Sequence, residues 1–225
     1  MAGQGSTRFR CTAHFEQLAR GEGYLCIAGV DEAGRGSLFG SVFAAAVILN
    51  PARPVRGVRD SKQLSAERRE HLAAQIRENA LAWAVATADA AEIDRINILE
   101  ASRLAMRRAI EQLHPSADYL LVDAVRVDLP LPQQALIKGD ARCQSIAAAS
   151  ILAKVDRDCS MREWDRVYPQ YGLARHKGYP TVEHLEALAV HGPANEHRFS
   201  YAPVREIAAG RGRGLTRQAE AAAAR

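Results

Sequence analysis

The fold of this chain is decided by residues 25–49, which read LCIAGVDEAGRGSLFGSVFAAAVIL. The apolar run at 25–30 predicts a buried strand, and the run at 42–49 predicts a second one. A turn punctuated by glycines separates the two runs. Two acidic residues, Asp31 and Glu32, directly follow the first run. The stretch therefore predicts two strands joined by a short turn, with carboxylates where the first strand ends.

Helical and strand patterns alternate through the rest of the chain. Apolar residues at helical spacing predict helices at 65–79, 97–113, 144–162 and 181–190. Short apolar runs predict further strands at 81–87, 119–122 and 135–137. Small residues in the helix that begins at 144 indicate close packing on a sheet. This order predicts an α/β fold, with a mixed central sheet flanked by helices and a C-terminal helical segment.

The composition is that of a single globular domain. Of the 225 residues, 48% are hydrophobic and 25% are charged, and no repeat or long linker divides the chain. One core suffices at this length. We expect a compact domain at 23–208, preceded by a flexible extension at 1–22 and followed by a disordered tail, rich in Arg and Ala, at 209–225.

The cysteines and the longest apolar run both favour a cytoplasmic location. Cys11, Cys26, Cys143 and Cys159 are far apart and form no CxxC pair, so we expect reduced thiols. The longest apolar run, at 42–49, is much shorter than the roughly 20 residues of a membrane-spanning helix. Neither an export signal nor a coiled-coil heptad is present. These observations predict a monomer with no membrane partner.

The balance of charges permits nucleic-acid binding. Lysine and arginine number 30 against 26 aspartates and glutamates, and the sequence pI is about 9.0. Only four of the basic residues are lysines: Lys62, Lys138, Lys154 and Lys177. Because compact ammonium groups suit phosphate, these four are candidates for phosphate contacts, although chance in an arginine-rich chain also explains them.

Acidic residues stand at the ends of three predicted strands. Asp31 and Glu32 end the first, Asp123 follows YLLV, and Asp140 follows ALIKG. Side chains at strand ends can converge on one crevice of an α/β sheet, and four carboxylates there would repel unless cations lay between them. The set predicts a site for Mg²⁺ or Mn²⁺, which prefer oxygen ligands. For any one of these residues alone, a solvated turn is the simpler interpretation.

The segment that follows the first pair of acids is glycine-rich. Adjacent residues of a regular strand point to opposite faces, so Asp31 and Glu32 can share a site only if the chain leaves the pleat there. Gly34 and Gly36 permit such a break and let backbone N–H groups approach a ligand, while Arg35 adds positive charge for a phosphate. The alternative is an ordinary hairpin connection.

Longer stretches of the chain resemble the ribonuclease HII family. The matching segments are GVDEAGRGSLFGSVFAAAVIL, DSKQLS, INILEASRLAMRRAI, LLVDA, KGDARCQSIAAASILAKVDRD, YPQYGLARHKGYPTVEHL and GPANEHRFSYAPV. They follow the family's order and cover most of residues 29–204. The resemblance implies a ribonuclease H-like fold and a divalent-metal nuclease that cuts RNA in RNA/DNA duplexes, including single ribonucleotides embedded in DNA.

The family's four carboxylates correspond to Asp31, Glu32, Asp123 and Asp140, the residues already selected by their strand-end positions. The resemblance implies that they hold two metal ions, about 4 Å apart, that activate a water and stabilise the leaving oxygen. We expect cleavage on the 5′ side of the ribonucleotide, which leaves a 3′-OH and a 5′-phosphate.

The resemblance also implies residues that recognise the substrate. The glycine–arginine–glycine element, here Gly34, Arg35 and Gly36, would sense the ribose 2′-OH. A tyrosine of the family's HKGY motif corresponds to Tyr179, which would stack on the deoxyribose that follows the ribonucleotide.

Further polar residues are candidates for the substrate backbone. By resemblance, Ser61, Lys62 and Lys177 would contact phosphates, whereas the simpler interpretation is a capped helix start with solvated charges. Ser150 and Lys154 lie four residues apart, so they share a helix face and either touch the substrate or line the sheet.

The chain departs from the family pattern in its glycine-rich loop. Ser37 and Ser41 replace prolines, and Phe39 replaces a small residue. Because proline restricts the unfolded chain, we expect the loop to be looser by up to about 1 kcal/mol for each loss. Ala124 follows Asp123 where glycine is frequent. These changes question the stiffness of the loop and the rate, but not the type of reaction.

Three other functions were weighed against this one. Strand-end acids alone are compatible with a different metal-dependent nuclease of the same broad fold, such as a 3′ exonuclease or a junction resolvase. A nucleic-acid-binding module that had lost its metals is disfavoured, because four clustered carboxylates would repel phosphate. A protein-interaction scaffold would need an exposed apolar patch, which sequence does not reveal.

Overall fold

The computed structural model describes residues 11–210, which form one five-stranded sheet covered by helices. The strands are β1 (Ile27–Ala33), β2 (Val42–Ile48), β3 (Ala82–Ala88), β4 (Tyr119–Asp123) and β5 (Gln133–Leu136). The helices are α1 (His14–Gly21), α2 (Ala66–Asn79), α3 (Ala90–Glu111), α4 (Gln144–Val167), α5 (Leu173–His176), α6 (Val182–His191) and α7 (Ala202–Ala208). Short 3₁₀ turns lie at Ser61–Gln63, Gly139–Ala141 and Pro169–Tyr171.

The sheet is mixed, as the sequence predicts. Its strand order is β3-β2-β1-β4-β5. Strand β2 is antiparallel to both of its neighbours, β1 and β3, whereas β1, β4 and β5 run parallel to one another. Because β1 and β4 are parallel neighbours, their carboxyl ends meet at the same edge of the sheet. The last residues they pair are Val30 and Val122, so Asp31 and Asp123 come immediately after the shared ladder.

Helices cover both faces of the sheet. On one face, α3 packs on alanines and valines of the three antiparallel strands. On the other face lie α2 and α4, and α4 approaches β1 very closely. A Cβ placed on Gly29 of β1 would lie only 2.0 Å from the backbone carbonyl carbon of Ser145. The predicted close packing of this helix is therefore confirmed, and it needs a glycine in the strand.

The third helix begins earlier than the sequence predicts. A capping box formed by Asp89 and Glu92 starts α3 at Ala90 instead of residue 97. Asn97 nevertheless interrupts the helix, because its φ of 67° is non-helical. Its side-chain oxygen accepts the backbone N–H of Leu99 at 2.9 Å, as a cap does. The predicted start therefore coincides with an internal break.

The expectation of a flexible extension at 1–22 is wrong for its second half. Residues 1–10 lie outside the described part, but His14–Gly21 forms α1. Glu16 of this helix is buried and accepts the backbone N–H of Ser145 at 2.7 Å. Cys143, the residue that precedes α4, makes no side-chain cap, so Glu16 caps this helix from a distance. The predicted tail lies outside the described residues from position 211 onward.

Helices α5, α6 and α7 form the predicted C-terminal helical segment. They pack with Phe39 and the end of α4 in a separate apolar cluster. The four cysteines are free thiols. Within residues 11–210, none of the helices is both long and apolar enough to span a membrane.

Candidate active site

A cleft of about 230 Å³ lies where β1 and β4 end. Most of the residues that the sequence singled out line it. They are Asp31, Glu32, Gly34, Arg35, Gly36, Ser61, Lys62, Asp123, Ser150, Lys154 and Tyr179. Tertiary structure therefore brings strand ends, the glycine-rich loop, α4 and the turn before α6 to one place.

Two predicted site residues do not line this cleft. Asp140 lies beside it in a 3₁₀ turn, where one carboxylate oxygen is 3.8 Å from the ammonium of Lys62. Lys177 turns its ammonium onto the backbone carbonyl of Ala174, at 2.5 Å. The ammonium of Lys177 is thus hydrogen-bonded within its own turn. The predicted phosphate contact would require this hydrogen bond to break.

The two adjacent acids share the cleft without leaving the strand. The sequence led us to expect a break in the pleat at Asp31 and Glu32, but β1 continues to Ala33, which pairs with Phe43. Only the pairing with β4 stops there, while the pairing with β2 continues. One oxygen of Asp31 accepts the backbone N–H of Glu32 at 2.7 Å. Strand β1 therefore delivers both carboxylates directly.

Burial and mutual repulsion make these carboxylates costly to ionise. Burial raises the pKa of Asp31 well above its ordinary value, and the charges of Glu32 and Asp123 raise it further. Burial also raises the pKa of Glu32, although Arg35 opposes the shift. The pKa of Asp140 is raised by burial and then by Asp60 and Asp123. A cation would relieve all of these costs.

The donors present fit a hard divalent cation. One oxygen of Glu32, Oε2, is buried and has no hydrogen-bond partner among the described residues. Such an atom suits a metal ligand, and carboxylate oxygens are what Mg²⁺ and Mn²⁺ prefer. Asp31, Glu32 and Asp123 would hold the ion, with Asp140 adjacent.

The carboxylates of the cleft do not converge on a single point. In residues 11–210, no three His, Cys, Asp or Glu side chains form a ready group that could hold a metal ion. Each acid instead has its own protein partner. Glu32 pairs with Arg35 at 3.3 Å, Asp123 accepts the N–H of Gly139 at 2.7 Å, and Asp140 faces Lys62. To hold a common ion, these side chains would have to turn away from their present partners.

Hydroxyl and amino groups complete the floor of the cleft. The hydroxyls of Ser61 and Ser150 are 2.9 Å apart, and Ser150 also hydrogen-bonds the carboxylate of Asp31, which opposes the rise of its pKa. Lys154 donates to Asp158 at 2.6 Å, and burial lowers the pKa of its ammonium. Ser150 and Lys154 both border the cleft, so they do more than line the sheet.

The glycine-rich loop is held from below by a buried arginine. Arg198 is fully buried and donates to the carbonyls of Gly34 at 2.8 Å, Arg35 at 3.0 Å and Gly40 at 2.9 Å. Because these carbonyls point into the protein, the other side of the loop backbone faces the cleft. Gly36 lies against Tyr179, whose ring would be 3.7 Å from a Cβ at that position.

The substitutions that suggested a loose loop make contacts of their own. Ser37 is buried, and its hydroxyl donates to the carbonyl of Phe39 at 2.9 Å. Phe39 is also fully buried, with its ring 4.8 Å from that of His197 and 5.8 Å from that of Trp164. The loop is anchored by these contacts, contrary to the expectation from lost prolines. Nothing in the structure explains Ser41.

Sequence reasoning missed two functional candidates, Arg157 and Arg198. Both lie inside stretches that carry the family resemblance, but neither was given a role. Each is fully buried, which is rare for arginine. Their polar neighbours in sequence gave no signal of burial, and only the family motif around them could have drawn attention to these positions.

The fold and the cleft together define a class of protein. A mixed sheet whose central parallel strands end in carboxylates, beside a loop that presents glycine backbone, is the arrangement of a metal-dependent nuclease with a ribonuclease H-like fold. Comparison with known proteins identifies the family. The model of the ribonuclease HII family matches residues 28–204.

Individual relatives agree with this assignment. Ribonuclease HII of Solibacter usitatus is 60% identical over 198 residues, which are 88% of this chain and 87% of the relative. Ribonuclease HII of Koribacter versatilis is 51% identical over 197 residues, 88% of this chain and 78% of the relative. The crystal structure of ribonuclease H2 from Pyrococcus horikoshii is 27% identical with a TM-score of 0.70, and the match covers 84% of this chain and all of that one.

The chain belongs to the ribonuclease HII family. It is a hydrolase that acts on phosphodiester bonds, with ribonuclease H activity on RNA/DNA and dependence on a divalent metal. Its partner is nucleic acid. The competing interpretations as a scaffold or a metal-free binding module are thereby set aside.

Proposed function

We propose that this enzyme cuts the RNA strand of RNA/DNA hybrids and also cuts duplex DNA on the 5′ side of a single embedded ribonucleotide, leaving a 3′-OH and a 5′-phosphate. One observation carries the proposal. The cleft that holds Asp31, Glu32 and Asp123 also holds the backbone of Gly34 and Gly36. A site for phosphodiester hydrolysis and a site that can read a sugar hydroxyl are therefore the same place.

The glycine-rich loop is suited to recognise the 2′-OH. This hydroxyl is the group that distinguishes RNA from DNA at a given sugar, and a backbone without Cβ atoms can approach it closely. Arg198 supports the approach by holding the carbonyls of Gly34 and Arg35 on the inner side. The guanidinium of Arg35 is 41% exposed and can neutralise a neighbouring phosphate.

Tyr179 is suited to test the next sugar along the strand. It is 37% exposed and lies against Gly36, so a nucleotide bound by the loop would place its 3′ neighbour over the ring. The ammonium of Lys154 lies 6.0 Å from the ring centroid. An aromatic face without a directional donor accepts a deoxyribose, which supports recognition of an RNA-to-DNA junction.

The carboxylates would hold Mg²⁺ or Mn²⁺. When bound, a pair of such ions supplies an activated water and stabilises the leaving oxygen of an in-line displacement. The chain's own residues would position the carboxylates and the substrate. Ser150 orients the carboxylate of Asp31 through a hydrogen bond, and Ser61 supports Ser150 at 2.9 Å. Lys62, whose side chain is 81% exposed, offers positive charge to the phosphate backbone.

We further propose that the protein acts in the cytoplasm as a monomer, in one catalytic domain that comprises the predicted residues 23–208 together with α1. Lys177 remains a candidate phosphate ligand if its ammonium leaves the carbonyl of Ala174. The arginine-rich segment at 209–225 would add weak attraction to the nucleic-acid backbone, because it carries four arginines and one glutamate.

Cleavage of an end-labelled DNA duplex with one ribonucleotide tests the proposal. The protein is assayed with Mg²⁺, with Mn²⁺ and with EDTA, beside an all-DNA duplex and a long RNA/DNA hybrid. We expect a metal-dependent cut only on the 5′ side of the ribonucleotide, and loss of that cut in Asp123→Asn.

The matched control is Asp128→Asn, a substitution at an exposed aspartate five residues further on that does not line the cleft. It should cut like the wild type. Cleavage of the hybrid without cleavage at the single ribonucleotide would refute the finer proposal, and cleavage of all-DNA duplex would refute the recognition of the 2′-OH.

A further inference from the structure

The strongest feature that the mechanism does not use is the buried guanidinium of Arg157. This residue of α4 is fully buried and lies directly behind the cleft. Its Nη2 donates to the backbone carbonyl of Lys177 at 2.9 Å. Its Nε and Nη1 are buried and have no hydrogen-bond partner in the described part of the chain.

The charge of Arg157 has no partner to balance it. Within residues 11–210 no carboxylate forms an ion pair with it, and its neighbour Asp158 is engaged by Lys154 and Arg69. Burial, together with the nearby charge of Arg198, lowers the pKa of Arg157 to about 10, although Tyr179 and Asp158 oppose the shift. A buried charge without a counter-charge destabilises a fold, and an apolar residue of similar volume would be tolerated better. An arginine at this position therefore calls for a functional explanation.

Arg157 contacts both segments that face the substrate. Its guanidinium carbon lies 5.5 Å from the centroid of the Tyr179 ring, in cation–π geometry. Gly34, at φ +95°, lies so close that a Cβ there would be 2.0 Å from Nε of Arg157. The same guanidinium therefore touches the glycine-rich loop on one side and the tyrosine on the other.

The two segments are also joined to each other around this arginine. The backbone N–H of Leu38 donates to the carbonyl of Gly178 at 2.8 Å, and the hydroxyl of Ser37 lies 3.4 Å from the carbonyl of Lys177. Since Arg157 also donates to the carbonyl of Lys177, loop and turn share one anchor.

We infer that Arg157 is a positioning residue that sets the specificity of the enzyme, because it fixes the Tyr179 ring at a set distance from the glycine-rich loop. This inference rests on the proposed function. With one sugar bound at the loop and the next over the ring, as proposed above, a fixed ring position makes recognition of the ribonucleotide and recognition of the following deoxyribose a single event. Arg157 itself touches no substrate.

The test is Arg157→Met, which keeps the volume and removes the planar charge. We measure kcat and KM on a duplex with one ribonucleotide and on a uniform RNA/DNA hybrid, together with the melting temperature. On the single ribonucleotide we expect kcat/KM to fall about tenfold, mainly through KM, which is the size of one lost stacking contact. On the uniform hybrid, which has no junction, we expect a much smaller change. The melting temperature should not fall.

Two further variants separate positioning from charge alone. Arg157→Lys keeps the charge without the planar group, so it should resemble Arg157→Met. The double variant with Tyr179→Ala should be no worse than Tyr179→Ala alone, because Arg157 acts through that ring. As a control, Arg108→Met removes an arginine paired with Glu92 on α3, away from the cleft, and should leave the preference between the two substrates unchanged.

Three results would overturn the inference: equal losses on both substrates, a fully additive double variant, or full activity of Arg157→Lys. A binding measurement distinguishes failure of this inference from failure of the proposed function. If the wild type does not cut at a single ribonucleotide, the proposed function fails. Arg157→Met is then judged in an Asp123→Asn background, by whether it abolishes a preference for binding the ribonucleotide duplex over all-DNA duplex.

Discussion

The two walls of the cleft are built on different principles. The acidic wall consists of Asp31, Glu32 and Asp123, which stand at the ends of adjacent parallel strands. The loop wall consists of residues 34–36 and Tyr179, which belong to connections and owe their placement to distant side chains. The hydrogen bond between Arg198 and Gly34, for example, joins residues 164 positions apart.

The two walls differ in the charged groups that they bury and in how those groups affect the stability of the fold. Ionised carboxylates destabilise the folded chain at the acidic wall, because burial and repulsion raise the pKa values of Asp31 and Glu32. At the loop wall, two neutral histidines support the turn that carries Tyr179, beside the buried guanidiniums of Arg157 and Arg198. His184 donates from Nδ1 to the carbonyl of Tyr179, so its Nε2 can accept from Nε2 of His197 at 3.2 Å. Nδ1 of His197 then accepts the N–H of Ala194, so both rings have hydrogen-bond partners in their neutral form.

The largest effect is expected from removing one carboxylate of the acidic wall. In Asp31→Asn, activity should fall on the order of a thousandfold, since a carboxylate that would hold the divalent cation is lost, and with it the charge stabilisation that the cation would supply. The unfolding temperature measured in EDTA should rise, because the substitution removes a buried charge whose pKa is raised in the folded chain. Calorimetry together with the cleavage assay checks both.

A lower unfolding temperature for Asp31→Asn would show that the carboxylate stabilises the fold and that the acidic wall is not strained. Asp128→Asn, at an exposed position, serves as the control that should change neither quantity.

The next largest effect concerns stability at low pH, where the groups of the two walls should act with opposite sign. Burial lowers the pKa of His184 to about 4 and that of His197 to about 3, from 6.5. Below pH 6.5 the unfolded chain takes up protons that the folded chain does not, so stability falls as the pH drops towards 4. Each histidine should contribute about 1 kcal/mol per pH unit in this window. The raised carboxyls act with the opposite sign, because the folded chain takes up their protons first.

Urea unfolding between pH 7 and pH 4.5 measures this slope. His184→Gln should reduce it, whereas His71→Gln, at an exposed histidine of α2, should leave it unchanged. Stability that rises steadily on acidification would mean that the acidic wall outweighs the histidines, contrary to this prediction.

The smallest effect concerns the residue after the acidic wall. Ala124 has a φ of 54°, in the left-handed region that glycine adopts at little cost. Ala124→Gly should therefore stabilise the chain by about 0.5–1 kcal/mol, the left-handed penalty less the extra freedom of the unfolded chain. Chemical denaturation measures the change.

Ala74→Gly, at an exposed position inside α2, should instead destabilise by about 1 kcal/mol. If both substitutions destabilise equally, the left-handed turn at Ala124 carries no strain.

The positions of the acidic-wall residues and most of the sheet could be predicted from the sequence. Hydrophobic periodicity is a local property, so the strands that carry Asp31, Glu32 and Asp123 could be predicted within a few residues. Residue type then indicated the chemistry, because carboxylates at neighbouring strand ends require a cation. The first turns of α3 were missed because the capping box of Asp89 and Glu92 starts the helix before the apolar spacing becomes regular. Helix α1 has no such side-chain cap, and its sequence is largely polar.

The loop wall, in contrast, became apparent only from contacts between distant segments. An arginine has the same sequence signature whether it is exposed or buried, so Arg157 and Arg198 could not be recognised as its supports. The same holds for Ser37 and Phe39, which looked like losses of stiffness until their contacts with distant segments were known. The physical reason is the range of the interactions. Strand pattern and charge depend on neighbours in sequence, whereas the anchoring of a loop depends on which groups meet after the chain has folded.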